Sequence, residues 1–152
     1  MSITFYGVVV VIHILAAIIG LGSTFASPFI MSGAKTTTTA VYAHQVNAKV
    51  EKLAKIGSLS LLATGLVLGF IHPSLFTEIW YVASIILYIS LQPIVAYLIP
   101  KKTQVQIELL ASSGGEELTE DYHALSKKIG GYNTIAMVAV VVLVLLMSLK
   151  PF

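Results

Sequence analysis

The chain of 152 residues contains no cysteine and no arginine, and each gap removes a class of function. Without thiols there is no disulfide, no thiolate metal site and no cysteine nucleophile, so cysteine usage does not report on the redox compartment. Without guanidinium groups there is no planar, two-pronged clamp for phosphate. Charge of either sign is scarce: charged side chains make up 11% of the chain and the formal balance is +2, against about a quarter charged in an ordinary soluble domain. A surplus so small and dispersed argues against nucleic acid as a partner. Walker loops, the dinucleotide-binding glycine pattern and the serine elbow are also missing.

What remains is apolar. Hydrophobic residues make up 57% of the sequence and mean hydropathy is +0.90. Four apolar runs, about 3–31, 53–71, 80–99 and 132–149, are each long enough for a spanning helix. The alternating ten-residue segments of a closed barrel are not seen, and helices are then the remaining way to satisfy a backbone in lipid. The expected fold is all-α: one integral membrane domain over 1–152, a four-helix transmembrane bundle with no room for a separate soluble catalytic domain. Ser23, Thr24, Ala26 and Ser27 follow the first run as a signal-peptide cleavage region does. No lysine precedes that run and it is long, so it is read as a retained helix.

Lysines give the orientation. Lys35, Lys49, Lys52 and Lys55 mark the first connection, Lys101, Lys102, Lys127 and Lys128 the third, and none lies between His72 and Ile79. The positive-inside rule then predicts that both termini are extracytoplasmic, with Lys150 the one exception and with Trp80 and Tyr81 at the outer interface. Two cytoplasmic amphipathic segments are expected, about 40–52 and 116–129. In the first, Tyr42, Val46, Val50 and Leu53 recur at helical spacing and Glu51 precedes Lys55 by four. In the second, Leu118, Tyr122, Leu125 and Ile129 follow a cap at Thr119, with Glu120 and Asp121 in the first turn and Lys127 and Lys128 in the last. Thr36 to Thr39 reads as loop, Gly114 and Gly115 as a flexible approach, and Gly130 with Gly131 as a hinge. Glu120 and His123 have half the spacing of a di-iron site but no second copy, so with Glu116 they read as a solvated helix face.

His13 is the ionisable side chain of the first run, about 15 Å deep if the helix starts at Ile3. Such a residue is a functional candidate by default, and a hydrogen-bonded packing histidine has the same sequence appearance. It shares a face with Ala16, Ala17, Gly20, Thr24 and Ser27, small residues that let another backbone approach. The second run offers Gly65 and Gly69, flanked by Ser58 and His72. The third carries Ser84, Tyr88 and Gln92 at intervals of four, with Tyr88 near the depth of His13, as is Thr64. These groups form either a polar layer that sets helix register or a ligand pocket. No second histidine matches the depth of His13, while Met137 is near enough for a His/Met haem pair. Pro93 is expected to kink the third helix.

Several short stretches together resemble a family of predicted bacterial integral membrane proteins of unknown function. They are Ile12-His13-Ile14-Leu15-Ala16, Gly20-Leu21-Gly22, Phe25, Pro28, Thr64-Gly65, Pro100 with two following lysines, and Met147-Ser148-Leu149-Lys150-Pro151. The resemblance implies a four-helix protein of the bacterial plasma membrane and no particular reaction. His13, Phe25, Pro28, Glu51, Leu53 and Lys150-Pro151-Phe152 are more distantly similar to the four-helix, haem-binding protoporphyrinogen oxidase family. That family has a basic residue after the proline where this chain has Phe29. It has a lysine in the third span where this chain has Ser84 or its neighbours, and an Asn-Glu-x-Pro element where this chain reads Asn133-Thr134-Ile135-Ala136. Only His13 as a haem ligand transfers residue by residue.

Two expectations follow. One is a small b-haem-binding or redox-associated membrane protein, with His13 as ligand, Tyr88 or Gln92 behind it, and Met137 as a second donor. The other is a non-enzymatic small-solute or ion transporter, or an accessory subunit, that packs on a partner membrane subunit or on copies of itself.

Overall fold

A computed structural model describes residues 4–151; Ile3 and Phe152 of the sequence reading lie outside them. Helix α1 is Phe5–Met31, α2 Thr37–Ile71, α3 Ile79–Gln92, α4 Ile99–Ser112 and α5 Glu120–Leu149. A 3₁₀ turn, Pro73–Thr77, leads into α3, and a π-helical turn, Pro93–Leu98, joins α3 to α4. The fold is all-helical among the described residues. Four helices are long and apolar enough to cross a bilayer: α1, α2, the composite Ile79–Ser112 and α5, of 27, 35, 34 and 30 residues. In each, only 11–22% of the apolar window is buried, so most of that surface faces outward, which a soluble monomer avoids. On α1 alone Phe5, Val11, Ile14 and Ile18 are exposed, as contact with lipid requires.

At 1.5 Å per residue the last three helices run about 45–52 Å, beyond the roughly 30 Å hydrocarbon layer. The excess gathers at the lysine-rich end, where α1 turns into α2 and α4 into α5. There Ala40, Leu110 and Tyr122 form a small core with Ala34, Leu109 and Leu118 against it. Gln106, 1% exposed, ties α4 to α5 by donating to Ser126 Oγ at 2.7 Å and to the Tyr122 carbonyl at 3.3 Å.

The tightest seam joins α1 to α2. A Cβ on Gly20 would stand 2.7 Å from the Ser58 nitrogen, and one on Gly57 would meet the backbone of Gly20. Neither position has room for a side chain, which explains the small face of α1. Helix α3 meets α2 differently, through long side chains. The Tyr81 phenol donates to the Gly65 carbonyl at 2.9 Å and the Tyr88 phenol to the Ser58 carbonyl at 2.7 Å, each using the second lone pair of a helical carbonyl.

Several expectations are corrected. Thr36 to Thr39 is not plain loop: Thr36 caps α2 and forms a capping box with Thr39. The inward face of the first segment is Ala40, Ala43 and His44 rather than Tyr42 and Leu53, which are exposed; small residues win because α2 packs closely there. Gly130 and Gly131 lie inside an unbroken α5. Two glycines at about 1 kcal/mol each do not outweigh a helix propagating from both sides. At Pro93, the expected kink site, the helix passes through a π turn, which accommodates the carbonyl that the missing N–H leaves free. Trp80 and Tyr81 are buried within the protein, where Tyr81 reaches Gly65 and the two rings meet edge to face at 5.8 Å. The left-handed cap Lys150 sets its ammonium 5.2 Å from the Trp80 ring centroid.

Candidate functional site

Helix α1 holds His13 half-buried against α2, with Nδ1 2.8 Å from Thr64 Oγ1. The Thr64 hydroxyl lies 2.6 Å from the Ser60 carbonyl one turn back on its own helix. A contact that short between two oxygens requires the hydroxyl proton, so Oγ1 is left to accept from Nδ1–H. The neutral imidazole then carries its lone pair on Nε2. Gly65 seats the ring: a Cβ there would be 3.2 Å from Cε1. Among the described residues Nε2 has no hydrogen-bond partner, and it is not among the enclosed unpartnered atoms. It is therefore not wholly enclosed by the protein.

The space enclosed beside the ring is small. A cavity of about 30 Å³ lies between His13, Gly65 and neighbouring leucines of α2, Tyr81 and Tyr88 of α3, and Met147 of α5. Tyr88 thus shares this cavity with His13, but its phenol is committed to the Ser58 carbonyl and meets the Ser58 hydroxyl as well. Gln92 does not reach the cavity; its Nε2 donates to the Tyr88 carbonyl at 3.3 Å, and it lines a separate space with Ser58, Glu51 and Ala96. Met137 is half-buried and lies off the His13 cavity. Met147 lines it instead, because α5 ends two residues later and not at the plane where α1 begins. The depth count had assumed level helix ends.

A second concave region lies at the lysine-rich end. A cavity of about 270 Å³ is bordered by α1, α2, α4 and α5, with His44, Asn47, Gln106 and Asn133 among its polar walls. His44 Nε2 pairs with the Tyr122 phenol at 3.1 Å. The sequence reading missed this site, although Ala40, Ala43, His44 and Asn47 follow helical spacing. Nearby, Glu116 is no solvated helix face: it precedes α5 and clasps the start of α2. Its carboxylate accepts from the Thr38 hydroxyl at 2.6 Å and its carbonyl from the Thr37 amide at 2.9 Å. The Thr38 hydroxyl, and after it the Thr38 amide, holds the Glu116 carboxyl below its ordinary pKa. Among the described residues no three His, Asp or Glu side chains gather as a metal site.

No curated protein and no solved structure matches the chain at a significant level. Residues 7–151 match one family description, "Predicted integral membrane protein (DUF2269)". The match spans nearly the whole bundle, from the first turn of α1 past the end of α5, and the chain belongs to that family of integral membrane proteins.

Proposed function

We propose that this integral membrane protein carries a redox cofactor, b-type haem, through Nε2 of His13. The observation behind the reading is an imidazole lone pair without a partner among the described residues and not wholly enclosed, roughly 12 Å along α1 from Phe5. An acceptor left bare in hydrocarbon costs several kcal/mol, so something is expected to meet it. The donor chemistry suits a metal: Nδ1–H anchored to a neighbouring oxygen, with Nε2 free, is how ligating histidines are oriented. The enclosed 30 Å³ beside the ring does not take a macrocycle, so the group would have to approach from the open side of Nε2. Bound there, haem iron would supply one-electron chemistry. Thr64 sets the tautomer, Gly65 the ring position, and the surrounding lipid excludes water. In this reading the lysine-rich end faces the cytoplasm of a bacterial cell and both termini face out.

The test is an optical spectrum of protein purified after expression with haem precursor. A Soret band is expected, lost in His13→Ala and weakened in Thr64→Val by a tenfold to hundredfold drop in affinity, roughly the cost of removing such a support. A colourless wild type, or a His13→Ala spectrum identical to it, overturns the reading. The same open nitrogen favours a second one, an accessory subunit in which a donor from a neighbouring membrane helix meets Nε2. The protein is then colourless and self-associates or pairs in detergent, and His13→Ala weakens that association.

A further inference from the structure

The cavity of about 270 Å³ at the lysine-rich end plays no part in the His13 reading, and its walls contain an unbalanced account of hydrogen bonds. His44 is 6% exposed and has one nitrogen taken by Tyr122; its other nitrogen, Nδ1, has no partner among the described residues. Three residues along α2, Asn47 Oδ1 is buried and likewise unpartnered. An unmet buried polar atom costs about 1–3 kcal/mol, so two on residues that line one cavity favour an occupant that reaches them.

The walls restrict its chemistry. No lysine, aspartate or glutamate lines the space, so a cation would find no counter-charge and an anion only the imidazoles of His44 and His123. Pro28, Met31, Ile99 and Ile129 add apolar wall, which suits a ring or short hydrocarbon body. Among the polar groups, a hydroxyl answers both unpartnered atoms. It donates its single proton to Asn47 Oδ1 and accepts from His44 Nδ1–H, in the tautomer whose Nε2 accepts from the Tyr122 phenol. The volume far exceeds the roughly 30 Å³ share of one water and is of ring size. We propose that this cavity binds a neutral phenol or alcohol with an apolar body, its hydroxyl between His44 and Asn47 and its body against the apolar wall.

The test titrates protein with ¹⁵N-labelled histidine, in lipid nanodiscs, with three probes: phenol, toluene and benzoate. Phenol is expected to shift the His44 ring nitrogens saturably while His13 stays unmoved. Toluene, which lacks the hydroxyl, and benzoate, which is charged, are expected to bind at least about tenfold more weakly, the loss of one buried hydrogen bond. Asn47→Leu should cost phenol a similar factor. Equal responses to phenol and toluene would mean an apolar site indifferent to the hydroxyl, and no saturable shift with phenol a cavity filled by water alone; either result overturns the proposal. The phenol–toluene contrast on the unaltered protein decides even if the variant does not fold.

Discussion

At the scale of single residues, glycines separate the positions that matter from those that do not. Gly57 has the Gly20 backbone where a methyl would go, whereas Gly22 has nothing within 4 Å. Gly57→Ala is expected to destabilise the bundle by about 1–3 kcal/mol, as overpacking does. Gly22→Ala should instead leave stability unchanged or raise it by up to about 1 kcal/mol, the helix-propensity gain where a methyl meets nothing. Equilibrium unfolding in mixed micelles checks both, and equal effects would contradict the seam. From the sequence, Ala16 and Gly20 were visible as a close-approach face, but Gly57 was hidden because the helix that it belongs to offered Gly65 and Gly69 as a more conspicuous pair. Those two glycines make room for side chains instead: Gly65 for His13, and Gly69 for Tyr81 and Phe76. Depth counting brought His13 level with Thr64, since both are counted from helix ends on the same side. It failed between Met137 and Met147, where α5 stops at a different level.

At the scale of elements, the start of α2 is held by two devices, one local and one remote. Thr36 and Thr39 cap it from within, and Glu116 reaches its first amides from a loop about 78 positions away in sequence. A carboxylate suits a helix N-terminus, where the unpaired amides and the dipole both favour negative charge. Because the folded state holds the Glu116 proton affinity down, the clasp is complete above the ordinary carboxylate range. It is lost as pH falls through the lowered value. Hydrogen exchange at the Thr38 amide, corrected for intrinsic rates, should therefore accelerate on acidification, and Glu116→Gln should abolish that pH dependence. An unchanged profile would remove the clasp. The cap at Thr119 with its acidic first turn was legible, because every part is contiguous; the Glu116 clasp was not, because its halves meet only after the chain has crossed back.

At the scale of the whole molecule, the four long helices place the Pro73–Thr77 turn and the 113–119 connection at opposite ends of the bundle. The native chain has no cysteine, so Ser74→Cys and Gly114→Cys each supply one clean label. Membrane-impermeant maleimide should reach them from opposite sides of sealed vesicles, and labelling from the same side would break the four-span arrangement. The number and type of spans were plain from hydropathy, since bilayer thickness alone sets the length required. The 270 Å³ cavity was not, because its wall is assembled from four helices whose relative heights no local pattern encodes.

The seam between Gly20 and Gly57 has one more consequence, for the order in which the protein is made. Everything needed for it has been translated once Ile71 has left the ribosome. The first hairpin can therefore lock together in the bilayer while the remaining half is still being synthesised, leaving later helices to dock on a finished platform.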